Sequence, residues 1–216
     1  MNTSSYYSDR EAYATFMSQQ EPPLLAALRA TTKATIHGSQ MLSSPLQGRI
    51  LSFLSHLIRP QKVLEVGTYT GYSTLCLGEG LAAQGRLHTI DRHYYPLVEE
   101  YLQKANLHQQ ATYHIGLAHT IIPKIAGPFD MIWLDADKKQ YSHYAELLLP
   151  QLRVGGVILA DNILWKGAVL SPSTCEQDPR AGAMRQLALE WKDNPCLAPL
   201  LLPIGDGLLI AQKISR

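Results

Sequence analysis

The sequence has no surplus of charge: 19 Lys and Arg stand against 18 Asp and Glu, a formal net charge of +1. Such a balance supplies no overall field for holding nucleic acid or an anionic membrane surface, although a small local basic patch is compatible with it. Cysteine is scarce. Cys76, Cys175 and Cys196 are scattered, with neither disulfide nor metal-ligand spacing, which fits a reducing compartment. Cys76 reads as a core residue. No apolar run approaches membrane-spanning length and the start Met1-Asn2-Thr3-Ser4-Ser5 is polar, so neither a signal peptide nor an anchor is expected, and the protein is expected to be cytoplasmic. The 216 residues suffice for one α/β domain with a sizeable core and are too few for two large ones. One domain over residues 1–216 is expected, with residues 1–60 as a helical cap region.

The dinucleotide glycine pattern is also missing. What the chain has instead lies in residues 62–91: an apolar strand (Val63, Leu64, Val66), a loop with Gly67 and Gly71 four residues apart, a helix over 73–83, and a strand over 87–90 ending at Asp91. Glycines there let the backbone turn sharply and approach a ligand closely. Asp91, about twenty residues on at a strand tip, is placed to accept hydrogen bonds from ribose hydroxyls. Glu65 sits just before the turn, where a carboxylate repels a pyrophosphate and suits a sulfonium or α-ammonium cation. The loop therefore favours S-adenosylmethionine over NAD. For the glycines alone, a ligand-free turn is the competing reading.

Elsewhere helix and strand alternate. Short helices are predicted over 10–18 and 23–32, a Ser, Gly and Pro-rich loop over 36–46, and helices over 47–57 and 97–105. Strands are predicted over 112–115, 130–134 and 157–160, the last introduced by Gly155-Gly156, with a helix over 141–152. Residues 166–180 read as a long loop shaping an acceptor pocket. Residues 197–203 and 208–212 read as a β-hairpin with Asp206 in its turn. The pattern argues a doubly wound, mostly parallel sheet, in which ligands bind beyond the carboxyl ends of the strands.

That rule gives meaning to Asp135, Asp161 and Asn162, which end two strands that can be neighbours about 4.8 Å apart. Two carboxylates and an amide oxygen are hard ligands suited to Mg2+ or Ca2+, with Mn2+ as a substitute and Zn2+ less suited. A single strand-end Asp is more often a cap or turn former. His119 and His143 read as packing or surface residues, and Met41 and Leu42, on pattern alone, as packing under a loop.

Four motifs in this order, Leu64-Glu65-Val66-Gly67-Thr68-Tyr69-Thr70-Gly71-Tyr72-Ser73, Asp135-Ala136-Asp137-Lys138, Asp161-Asn162-Ile163-Leu164-Trp165 and Leu202-Pro203-Ile204-Gly205-Asp206-Gly207-Leu208, resemble those of the cation-dependent O-methyltransferases, the family of catechol and caffeoyl-CoA O-methyltransferases. The resemblance spans about residues 41–213. It implies a Rossmann-like methyltransferase fold with a seven-stranded sheet, mostly parallel, closed by an antiparallel C-terminal hairpin strand. It places Gly67, Tyr69 and Ser73 around the methionine part of S-adenosylmethionine, Asp91 on its ribose, Ala118 near its adenine, and Met41 and Leu42 against the cofactor, with Glu65 and Asp135 also at that site. It gives Asp135, Asp161 and Asn162 to a divalent cation and makes Lys138 the catalytic base. Without Asp135 beside it, Lys138 would read as a solvated or helix-start lysine; it is expected to be partly exposed.

The implied reaction moves a methyl group to one hydroxyl of a catechol, caffeoyl or flavonoid-type phenolic, with a homodimer as the expected assembly. Asp137 resembles the bacterial and caffeoyl-CoA branch. No cluster of Lys and Arg marks a coenzyme A phosphate site, to which Arg29 and Lys33 are the candidate contributors. Two other readings stay open. A hydroxylated uridine in transfer RNA would be a different acceptor for the same chemistry, against which the near-zero charge speaks. A nucleotide-binding oxidoreductase or a silent binding module would use the same kind of sheet, against Glu65 and the Asp135, Asp161, Asn162 set.

Overall fold

The computed structural model describes residues 3–216, with side chains from Arg10 onward; Met1 and Asn2, part of the polar start read above, lie outside them. Helices α1 (Thr3–Met17) and α2 (Pro23–Thr35) come first, with Pro23 in the first turn of α2, where its missing N–H leaves no bond unmade. After a helical turn at Ser39–Met41, helix α3 (Pro45–Ile58) is capped by Ser44, whose hydroxyl accepts from the Gln47 N–H. Strand and helix then alternate through β1 (Lys62–Val66), α4 (Tyr72–Gly78), β2 (Arg86–Asp91), α5 (Pro96–Lys104), β3 (Ala111–Ile115), α6 (Ala118–Ile121), β4 (Phe129–Leu134), α7 (Tyr141–Leu148) and β5 (Leu152–Ala160). Helices α8 (Pro172–Gln177) and α9 (Pro179–Asp193) and the hairpin β6 (Leu197–Leu202) and β7 (Leu208–Lys213) complete the chain.

The seven strands form one sheet in the order β3-β2-β1-β4-β5-β7-β6, parallel from β3 to β5, with β7 antiparallel to both its neighbours. This is the doubly wound, mostly parallel arrangement with a reversed hairpin strand that the sequence predicts. The central strands read as continuous apolar runs because both faces are covered. Leu64, Val66, Ile132, Leu134 and Ile158 pack with Tyr141, Leu148, Met184, Leu187 and Trp191 on one face. Val63, Met131, Trp133 and Leu159 pack with Leu25, Leu28, Leu51, Leu75 and Tyr101 on the other. Among the described residues, no helix is long and apolar enough to cross a membrane.

Several boundaries differ from expectation, each for a local reason. Helix α1 begins before residue 10. Helix α4 stops at Gly78, not at residue 83, because at Gly80 the chain touches the end of α3 so closely that a Cβ would lie 2.2 Å from the His56 nitrogen. Helix α7 stops at Leu148, and Pro150 lies in a following helical turn. Strand β5 begins at Leu152 and runs through Gly155-Gly156, where the register against β4 shifts and Gly155 takes φ of 79°. Residues 166–180 are largely helical, not a long loop. Helix α9 escaped the sequence reading altogether, although Asp178 caps it, Pro179 opens it, and its buried Ala181, Met184, Leu187 and Trp191 recur at helical spacing.

Because Leu187 is fully buried in the core, Leu187→Ala should lower unfolding stability by roughly 2–5 kcal/mol. Leu170, 77% exposed ahead of α8, should tolerate Ala within about 0.5 kcal/mol. Urea titrations of both variants check this; comparable losses would contradict the assignment of α9 to the core.

Candidate active site

Strand order reverses between β1 and β4, and a row of groups lines up beyond the carboxyl ends of the strands at that switch. The parallel ladder runs past the strand ends: Gly67 N–H donates to Ile90 O, Asp135 N–H to Val66 O, Asp161 N–H to Leu134 O, and Gly116 N–H to Asp91 O. These bonds fix the glycine loop, Asp91, Asp135 and Asp161 on one rim. Gly67 has φ of 104°, and a Cβ there would lie 1.8 Å from the Asp135 carbonyl oxygen, so no residue with a side chain fits.

The loop is held from two sides. Asp91 accepts from the Tyr69 N–H at 2.8 Å and from the His93 N–H at 2.9 Å, joining the loop after β1 to the one after β2. Tyr69 is left-handed (φ 48°) and its ring meets Tyr95 edge-on at 5.2 Å. Beneath the loop Glu65 is fully buried. Its carboxylate accepts from the hydroxyls of Ser73 and Thr74, each at 2.5 Å, and of Thr89 at 2.6 Å. Burial pushes the Glu65 carboxyl up to about 7, with the three hydroxyls opposing and the Asp135 charge adding to the rise. Glu65 thus lies under the loop and not in an open cleft, and it touches Ser73 directly.

Leu134 and Ala160 are register partners in the parallel β4–β5 pair, so the next residues, Asp135 and Asp161, sit side by side. Asp161 is buried and accepts from the Asn162 N–H at 2.8 Å, with the Gln47 side chain close enough to favour its charged form. Burial and then the Asp135 charge raise its carboxyl to about 7. Asn162 is left-handed with φ of 61°. Among the described residues no three His, Cys, Asp or Glu side chains group as a metal site; this set is two carboxylates and an amide. Two anionic oxygen donors crowded together, one of them buried, together with an amide oxygen, fit a hard divalent cation.

Lys138 is more enclosed than expected, its side chain only 12% exposed. Its Nζ lies 2.5 Å from Asp135 Oδ1 and 2.6 Å from the Tyr141 hydroxyl, which itself donates to Leu134 O. Burial opposes its charge, but the Tyr141 and Asp135 oxygens outweigh burial and hold the ammonium well above the ordinary lysine range. In this arrangement Lys138 is the counter-charge of Asp135.

The other expected site residues lie on separate elements. Met41, 56% exposed, and Leu42 follow α2 on the Ser39–Met41 turn, and Ala118 opens α6 beyond β3. Past Asn162, the chain runs through left-handed Trp165 and Lys166. The indole of Trp165 donates to Asp178 at 2.8 Å and lies 5.0 Å from the Arg180 guanidinium. Asp206 does more than make a turn, because its carboxylate accepts from the Lys166 N–H at 2.5 Å and its carbonyl from the Leu164 N–H. Arg29, a candidate for coenzyme A phosphate, is engaged within the fold: Nε donates to Glu21 at 3.0 Å and the guanidinium covers the Tyr72 ring at 4.3 Å. His119 and His143 face each other across α6 and α7, 6.2 Å apart.

Gln47 and Tyr141 went unnoticed in the sequence. Tyr141 had a signal, a phenol three residues after Lys138 at the start of a helix. Gln47 had none, since only the fold brings it to Asp161.

A family profile described as O-methyltransferase matches residues 15–214. The Catechol O-methyltransferase of Niastella koreensis is 32% identical over 221 residues, 98% of this chain and 99% of that protein. Caffeoyl-CoA O-methyltransferase 1 of Arabidopsis thaliana is 31% identical over 208 residues, covering 91% and 80%. Among solved structures, the O-methyltransferase TomG from Streptomyces achromogenes, in complex with SAM, has a TM-score of 0.87 at 25% identity over 100% of both chains. The SAH-bound Podospora anserina methyltransferase PaMTH1 has a TM-score of 0.88 at 25% identity, covering 100% of this chain and 97% of that one. Sheet, glycine loop and these likenesses define a Rossmann-like, S-adenosylmethionine-dependent methyltransferase. The chain belongs to the O-methyltransferase family and is of its caffeoyl-CoA and catechol type.

The rim makes a pH prediction. Asp161 binds its proton more tightly in the fold than in the unfolded chain, whose value is near 3.8, so it costs stability progressively as pH rises from there through about 7. In metal-free protein, Asp161→Asn should therefore raise the melting temperature more at pH 8 than at pH 5. An equal rise at both values, read from thermal melts in chelator, would contradict the buried like-charge pair.

Proposed function

We propose that the chain moves the methyl group of S-adenosylmethionine to one hydroxyl of a small phenolic carrying two adjacent hydroxyls, with Asp135, Asp161 and Asn162 holding a divalent cation, Mg2+ or else Mn2+ or Ca2+. The observation that carries this reading is the meeting of two carboxylates and a nearly buried lysine at the ends of β4 and β5, beside the glycine loop, with Asn162 next in the chain after Asp161. Bound there, such a cation would chelate both hydroxyls and acidify the attacking one. Gly67, Tyr69 and Ser73 would seat the methionine end of the cofactor, Asp91 the ribose, Ala118 the adenine, and Met41 and Leu42 would close over it. As the S–CH3 bond breaks and the O–CH3 bond forms, the bonding pair stays on sulfur as a neutral thioether. Lys138 Nζ takes the hydroxyl proton. That role needs the neutral amine, so Lys138 serves as base when the Asp135 charge is met by something other than its own ammonium. Tyr141, donating to Leu134 O, offers Nζ a lone pair and keeps it aimed.

A free phenol is favoured over a coenzyme A thioester because, of the two candidate phosphate contacts, Arg29 is engaged with Glu21 and Tyr72 and only Lys33 is exposed, a single lysine where several charges are needed. A homodimer belongs to the same reading: Phe53 and Leu57, one helical turn apart on α3 and 68% and 70% exposed, offer an apolar face for a second copy to cover. The three cysteines, all free, are consistent with a cytoplasmic enzyme.

Transfer to caffeic acid should disappear when divalent metal is chelated and return when Mg2+ is restored. Lys138→Ala should lower turnover by roughly 100-fold or more with Mg2+ present. Activity indifferent to chelation would remove the metal from the reading, and an unchanged rate in the variant would remove Lys138 as base.

A further inference from the structure

The two acidic strand tips are tied to the sheet by their own N–H groups, Asp135 to Val66 O and Asp161 to Leu134 O. At Asn162 the chain leaves that ladder and enters the left-handed region, with φ of 61°. Trp165 and Lys166 are left-handed as well, at 44° and 54°. Such backbone is costly for a residue with a side chain and persists only where the surroundings over-determine it. Here the surroundings are the turn between β6 and β7. Ala160 is the register partner of Leu209, so the antiparallel chain brings this turn alongside residues 162–166. Ile163 N–H donates to Gly207 O at 3.0 Å, Leu164 N–H to Asp206 O at 2.9 Å, and Lys166 N–H to the Asp206 carboxylate at 2.5 Å. The approach is close: a Cβ on Gly207 would lie 2.8 Å from the Leu164 nitrogen. Of these three bonds only the last is accepted by a side chain, so it can be removed without altering the backbone of the hairpin.

We propose that Asp206 is a positioning residue for the cation site: by accepting from the Lys166 N–H it completes the brace that holds the left-handed turn at Asn162, and so aims the Asn162 amide beside Asp161. This rests on the proposed placement of a divalent cation at Asp135, Asp161 and Asn162. Asp206 is not itself a ligand in this arrangement. Its oxygen acts as a hydrogen-bond acceptor, a role that an amide oxygen at the same position fills equally well. Residues that orient the ligands of a metal commonly govern its affinity although they never touch it. The hairpin at the end of the chain then does more than close the sheet, because its turn sets the geometry of the rim.

The test measures Mn2+ affinity from the electron spin resonance signal of the free ion, and S-adenosylhomocysteine affinity by calorimetric titration of metal-free protein. It compares the wild-type chain with Asp206→Ala and Asp206→Asn. Asp206→Ala should weaken Mn2+ binding by roughly 10–100-fold and leave S-adenosylhomocysteine binding as it was. Asp206→Asn, which keeps an acceptor oxygen and loses the charge, should bind Mn2+ nearly as the wild type does. Unchanged Mn2+ affinity in Asp206→Ala would overturn the proposal. Equal weakening in Asp206→Asn would overturn it too, by making the effect one of charge, as would a parallel loss of S-adenosylhomocysteine binding, which would make Asp206 merely structural. If Asp206→Ala does not fold, Asp206→Ser, a turn residue with a shorter side chain, carries the same expectations. A wild type that takes up no Mn2+ would instead count against the cation site itself, and the proposal would fall with it.

Discussion

The contact on which the site depends is that of Gly67 against the Asp135 carbonyl, a distance that leaves no room for a Cβ. It exists because β1 and β4 are parallel neighbours at the point where strand order reverses, so that the residues following the two strands leave the sheet side by side. The Asp135 N–H on Val66 O and the Gly67 N–H on Ile90 O then lock this approach to the sheet. A cofactor seated by the loop, as proposed, would lie beside the acidic residues of β4 and β5. For transfer between two bound molecules, such fixed proximity supplies much of the catalytic advantage.

The rim concentrates negative charge. The Asp135 charge adds to the raised protonation of both Glu65 and Asp161, and Lys138 is the ammonium set directly against Asp135. A fold selected for stability alone has no use for two carboxyls pushed to about 7. The imbalance makes sense if cationic ligands complete it, one at the glycine loop and one at the strand tips. Hydroxyls under the loop and Gln47 at Asp161 keep these carboxylates satisfied in the meantime.

Much of this was legible in the chain. The strands from Val63 to Ala160 declare themselves because burial on both faces demands continuous apolar runs, and strand-end acids stand out where such a run stops at Asp135 or Asp161. Helix α9 was legible through Asp178-Pro179 and the spacing of Met184, Leu187 and Trp191, but its polar, small-residue opening masked the pattern. What sequence could not carry was long-range: Gln47 reaching Asp161, Asp206 holding Lys166, and Arg29 turned onto Tyr72 are set by how the cap helices and the hairpin dock. The enclosure of Lys138 was equally hidden, since it follows from Tyr141 packing beneath the strand end.

The most direct test of the rim as a joint cofactor and cation site is a crystal structure grown with S-adenosylhomocysteine and Mn2+, with anomalous scattering recorded from the metal. One anomalous peak bound by Asp135, Asp161 and Asn162, next to a cofactor cradled by Gly67 and Asp91, is the predicted result. A peak elsewhere, or an occupied cofactor site with no metal at the acidic set, would contradict it.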